Sequence, residues 1–114
     1  MGEGTGGWLQ VQVAAGSQEE ADGVATAVLG RRLAACVQVV GPVESRFWWE
    51  GELDTATEWL CLIKTTDDRL ADVVAAVRKA HSYDTPEIIA VPVVGGSERY
   101  LRWITDVVTA KPAE

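Results

Sequence analysis

Trp8–Ala15 alternates loosely between apolar and polar positions, is rich in valine, and runs into Gly16-Ser17, so a first strand ending in a turn is expected. Ser17 followed three positions later by Glu20 matches a capping box, in which hydroxyl and carboxylate satisfy N–H groups orphaned at a helix start. Ala21, Val24, Ala25, Val28 and Leu29 then recur at helical spacing and form one apolar stripe. Residues 33–40 are apolar and β-branched. Gly41-Pro42 interrupts them, and the pattern resumes at Val43 and reaches Trp49. This reads as one long strand with a bulge, and because Pro42 has no N–H for a ladder, the strand belongs at a sheet edge. Residues 50–56 turn the chain, and residues 57–65, around Trp59-Leu60-Cys61-Leu62-Ile63, complete a hairpin.

Thr66 or Asp67 is expected to cap a second helix, with Leu70, Val73, Val74 and Val77 on one face and its end near His81. Residues 82–86 read as a loop. Residues 87–94 read as a strand that contains Pro92, which again favours an edge. Gly95-Gly96 turns the chain, Ser97 is placed to cap, and Tyr100, Leu101, Ile104, Val107 and Val108 give a final amphipathic helix. The order β-α-β-β-α-β plus one helix predicts an α+β, ferredoxin-like (split β-α-β) sandwich with an extra C-terminal helix. In that plan the first and third strands are central, so both prolines fall on edge strands. The domain is expected to span residues 8–109, with a loose glycine-rich tail at 1–7 and a frayed one at 110–114.

Phe47, Trp48 and Trp49 are consecutive on a strand, so Phe47 and Trp49 need cover on one face and Trp48 on the other. Each presents roughly 150–250 Å² that is unfavourable to leave wet, and helices on one side of a single sheet cover only one face. Another subunit is the simplest cover, and it would also protect the long unpaired edge.

Composition narrows the functional classes. At 114 residues the chain suits one core. A formal charge of −7 opposes a nucleic-acid partner, with Arg31-Arg32 and Arg78-Lys79 as the basic doublets. No stretch approaches the roughly 20 apolar residues of a membrane span, so no membrane partner is expected. Residues 1–7 show neither a basic end nor an apolar export segment, which makes the cytoplasm the expected location. Cys36 and Cys61, each flanked by apolar strand residues, read as buried free thiols.

His81, the one histidine, stands with Tyr83, Asp84 and Glu87 in the only cluster with evident chemistry. Imidazole with carboxylates can ligate a borderline divalent metal or move a proton near neutral pH. It can equally complete the last turn of a helix, where the macrodipole favours it. Both readings stand at this level. Glu44, Glu50, Glu52, Asp54 and Glu58 make the hairpin acidic without EF-hand spacing, as suits a solvated edge.

Leu33-Ala34-Ala35-Cys36-Val37, Phe47-Trp48-Trp49-Glu50-Gly51, Leu62-Ile63-Lys64-Thr65-Thr66, His81-Ser82-Tyr83-Asp84-Thr85-Pro86-Glu87-Ile88 and Tyr100-Leu101-Arg102-Trp103-Ile104 resemble, in order, the signature blocks of the CutA divalent-cation tolerance family. The resemblance implies a PII-like homotrimer held by intersubunit strand pairing, with Phe47, Trp48 and Trp49 at the trimer interface, and a link to copper tolerance. In some bacterial members copper ligation is attributed to a cysteine ending the first strand and to adjacent histidines. Val13 and Ala80-His81 stand at those places here, so His81 alone remains, and the usual His-Pro-Tyr-Glu is His-Ser-Tyr-Asp.

The expected function is therefore divalent-metal tolerance by a homotrimer that binds or supports rather than catalyses. His81, Asp84 and Glu87 are the candidate metal residues, and copper or another divalent cation would be weakly bound and not required for folding. One alternative is a PII-like sensor of a small anionic ligand at intersubunit clefts, with Lys64 and Tyr83 in the pocket. A second is a small acid–base enzyme using His81.

Overall fold

The computed structural model describes residues 7–110, which run β1 (Trp8–Ala15), α1 (Gln18–Gly30), β2 (Cys36–Trp49), β3 (Glu52–Thr66), a 3-10 turn (Asp67–Arg69), α2 (Leu70–Ala80), β4 (Ile88–Val93) and α3 (Glu98–Thr109). The expected tails at 1–7 and 110–114 lie outside the described residues except for Gly7 and Ala110. The four strands form one antiparallel sheet in the order β2-β3-β1-β4. This is the ferredoxin-like arrangement expected from the element order, with Pro42 and Pro92 both on edge strands.

Register decides which residues meet the helices. Val11 lies opposite Ile63 and Val13 opposite Cys61, so these four share one face, and all are fully buried. Ala21, Val24 and Val28 of α1 and Val73 and Val77 of α2 close over them as a single core. The other face alternates with it: Gln10 is opposite Lys64, whose Nζ donates to Gln10 Oε1 at 2.6 Å and Gln38 Oε1 at 3.1 Å. At one end of that face Trp8 Nε1 donates to Thr105 Oγ1 of α3 at 3.0 Å, and the Arg69 guanidinium donates to the carbonyl of Val108. Ile89 and Val91 of β4 point to the same side, and they are 49% and 41% exposed.

Several local details differ from the sequence reading. The hairpin turn is only Glu50-Gly51, both with positive φ (52° and 82°), and β3 pairs from Glu52 onward rather than from residue 57. Two left-handed residues give the backbone twist that matches the flanking strands, so the acidic stretch becomes ladder instead of loop. The expected bulge is present as a register shift between Val40 and Val43. Ser17 Oγ accepts from the Glu20 N–H at 3.0 Å as a capping box requires, but Glu20 Oε1 accepts from the N–H of Gly16, one residue earlier than the box predicts. Thr66 and Ser97 occupy helix-start positions without a side-chain bond to the backbone. Cys61 is buried as expected; Cys36, at the start of the edge strand, is only half-buried, because no strand covers its outer side.

Candidate functional site

The loop after α2 is tied to the ends of β1 and α1. His81 closes α2 with a fully buried side chain. Its Nε2 lies 2.6 Å from the carbonyl oxygen of Ala14, which can only accept, so Nε2 donates. Its Nδ1 accepts from the Tyr83 N–H at 3.1 Å. Both ring nitrogens are thus engaged, Nε2 as donor and Nδ1 as acceptor.

Glu20 adds the second tie. Its Oε1 accepts from Gly16 N–H at 3.1 Å, and its Oε2 accepts from Ser82 N–H at 3.0 Å. Burial raises the Glu20 pKa, but the hydrogen bonds from Ser82 and Gly16 outweigh it and leave the carboxyl below its usual range. The loop therefore leans on an ionised side chain of α1.

Tyr83 packs its ring 4.7 Å from the His81 ring, and its hydroxyl reaches Glu58 Oε2 at 3.4 Å. Burial and then the Glu58 carboxylate push the Tyr83 phenol pKa up, so it stays a neutral donor. Gly16 makes this approach possible: a Cβ there would stand 2.8 Å from the Tyr83 hydroxyl oxygen.

Beside this loop, a cleft of about 660 Å³ is bordered by the β2–β3 hairpin; its lining includes Ala14, Phe47, Trp49, Glu58 and Tyr83. Asp84 and Glu87 line it as well, whereas His81 and Lys64 do not. The structure thus brings Tyr83, Asp84 and Glu87 to one cleft, and it spends Lys64 on two glutamines of the sheet. Glu58, which the sequence suggested only as part of a solvated acidic face, is 7% exposed and belongs to the cleft. Its parity with Ala14 and Leu60 across the ladder was the available signal.

Within one chain these residues do not fit a copper site. Neither His81 nitrogen has a free lone pair, and among the described residues no group of three or more His, Cys, Asp or Glu is arranged to hold a metal ion. Val13, at the position suggested for a ligating cysteine, is fully buried under the helices and offers no donor.

Phe47, Trp48 and Trp49 stand at the hairpin end at 37%, 74% and 52% exposure. Trp48 lies directly across from Leu53, itself 65% exposed, and the two form an apolar pair on the opposite face from the cleft.

A ferredoxin-like α+β sheet with an open face, a long projecting hairpin and a loop clamped by histidine defines the class of protein. The CutA1 divalent ion tolerance protein family matches residues 9–107, and the chain belongs to that family. It is 41% identical over 98 residues to the divalent-cation tolerance protein CutA of Archaeoglobus fulgidus, covering 86% of this chain and 95% of that one. The chloroplastic protein CutA 1 of rice is 39% identical over 84% of this chain, which spans 54% of that longer relative. In three dimensions the chain matches the periplasmic divalent cation tolerance protein CutA of A. fulgidus with a TM-score of 0.86 and 40% identity, covering 89% and 98% of the two chains. The cytoplasmic location expected from residues 1–7 is corrected by that neighbour, which is described as periplasmic. Lack of an apolar leader in a sequence does not fix the compartment of the folded protein. Among the described residues no helix is long and apolar enough to cross a membrane.

Proposed function

We propose that this chain acts in divalent-metal tolerance as a homotrimer that binds or supports rather than catalyses, and that its part in copper handling is weak or indirect. The observation that carries the assembly is the Trp48–Leu53 pair, 74% and 65% exposed on a projecting hairpin. Such a pair is unfavourable in water and calls for a partner surface. Ile89 and Val91 on the open sheet face, and the unpaired edges of β2 and β4, call for cover in the same way. Pairing of those edges between copies would bring Phe47, Trp48 and Trp49 to the interface.

For metal, Asp84 and Glu87 are the exposed carboxylates on the loop, and His81 positions that loop by holding the Tyr83 N–H. Carboxylates alone bind borderline divalent ions loosely, so affinity is modest unless a second subunit completes a site. Light scattering coupled to size exclusion tests the assembly, with a trimer expected. Calorimetric titration of tag-free protein with copper(II) and zinc tests the metal role, with weak binding expected. A monomer at micromolar concentration would overturn the first reading, and tight stoichiometric copper binding would overturn the second.

A further inference from the structure

The chemistry of the cleft wall selects its ligand. Phe47, Trp49 and Tyr83 offer aromatic surfaces, and Glu58, Asp84 and Glu87 offer carboxylates. Arg46 is the cationic residue of the lining, and its guanidinium is already paired with Glu44 at 2.8 Å. Glu58 is the unusual member. It is 7% exposed, its hydrogen bond from the Tyr83 hydroxyl is long at 3.4 Å, and none of the ion pairs among the described residues includes it. That carboxylate faces the cleft with no cation paired to it among the described residues, and a positive group entering the cleft would pair with it.

Three ligand classes can be weighed. An anion would face three carboxylates. A bare metal ion would find no converging ligand set and far more room than it fills, since the cleft holds about 660 Å³. An organic cation fits both features, because ammonium and guanidinium groups are attracted to aromatic faces as well as to carboxylates. We propose that this cleft binds a small organic cation, a primary ammonium or guanidinium on an apolar body, with the charge at Glu58 and the body between Phe47, Trp49 and Tyr83. By strand register Ala14, Phe47, Trp49 and Glu58 share the open sheet face with Gln10 and Lys64, so a second copy on that face would border the cleft directly.

Calorimetric titration with benzylammonium, benzyl alcohol and phenylacetate, three probes of similar shape and different charge, tests the site. Benzylammonium should bind saturably, benzyl alcohol at least about tenfold more weakly, and phenylacetate not at all. Glu58→Gln keeps an acceptor for the Tyr83 hydroxyl but removes the charge, and it should weaken benzylammonium by at least about tenfold with little change in melting temperature. Should that variant not fold, Trp49→Leu, at a half-exposed position, should weaken it several-fold. No saturable benzylammonium binding, equal binding of phenylacetate, or unchanged affinity in the folded variants would overturn the proposal. Light scattering on the same samples separates the two readings. A trimer that ignores benzylammonium refutes the cleft alone, and a monomer that binds it refutes the assembly alone.

Discussion

His81 Nε2 meets the carbonyl oxygen of Ala14 at 2.6 Å, so the chain's one histidine braces the end of β1 against the loop that leaves α2. Removing the ring would orphan the Ala14 carbonyl and the Tyr83 N–H together. Each buried group left unsatisfied costs about 1–3 kcal/mol, so His81→Ala should lower stability by about 2–5 kcal/mol in urea denaturation. Copper affinity of the folded variant should stay as it is in the wild type. A folded His81→Ala protein that loses copper binding would reassign the ring as a ligand.

Glu20 makes stability depend on acid. Its folded pKa lies below the ordinary value of 4.5, so its ionised form supports the fold above that value, and the support disappears as pH falls through the folded pKa. The urea midpoint of the wild type should therefore decline below about pH 5. Glu20→Gln should be less stable at neutral pH and show a flatter decline in the acid window. Parallel pH profiles for the two proteins would remove Glu20 from this role.

The two thiols should differ in reactivity. Burial, with the Asp22 charge adding to it, pushes the Cys61 pKa up to about 11, and its Sγ donates to the carbonyl of Ala21 at 3.5 Å. A thiol reagent at mild alkaline pH should label Cys36 first and Cys61 only on unfolding. Equal native rates would contradict the packing of β3 under α1.

Glycines at two places should respond oppositely to alanine. At Gly41 a Cβ would stand 2.5 Å from Cδ1 of Trp59 and 3.1 Å from the carbonyl oxygen of Glu58, so Gly41→Ala forces the bulge apart. A loss of about 1–3 kcal/mol is expected. Gly23, inside α1, has nothing within 4 Å of such a Cβ, and Gly23→Ala should gain about 0.5–1 kcal/mol through helix propensity. Thermal melts of the pair decide both.

In the proposed trimer Trp48→Asp should dissociate the assembly or lower its melting temperature sharply, since a carboxylate would replace the anchor proposed for the interface. A trimer with an unchanged melt would show that Trp48 faces solvent in the assembled protein.

Much of the architecture was legible because burial imposes period. Val11 and Val13 alternate as a strand must, Val73 and Val77 recur as a helix must, and proline at 42 and 92 restricts two strands to edges whatever the partner. The turn was misread for an equally local reason. Asp54-Thr55 looks like loop chemistry, yet Glu50 and Gly51 reverse the chain in two residues, and pairing with Phe47 and Arg46 then overrides the polar composition of that arm. The candidate site was legible only in part. Tyr83, Asp84 and Glu87 are close in sequence and so were easy to group, whereas Glu58 and Ala14 join them only through strand register.

The sequence by itself determined the element order, the edge prolines and the family, because each follows from spacing along one chain. Tertiary structure alone decided the roles of His81 and Glu20. In sequence one is a candidate ligand and the other a helix cap. In the fold His81 spends both nitrogens on Ala14 and Tyr83, and Glu20 reaches across to Ser82. A polar side chain's function depends on which partners surround it once water is excluded, and the deciding ones here are distant in sequence: 67 residues for His81 with Ala14, and 62 for Ser82 with Glu20.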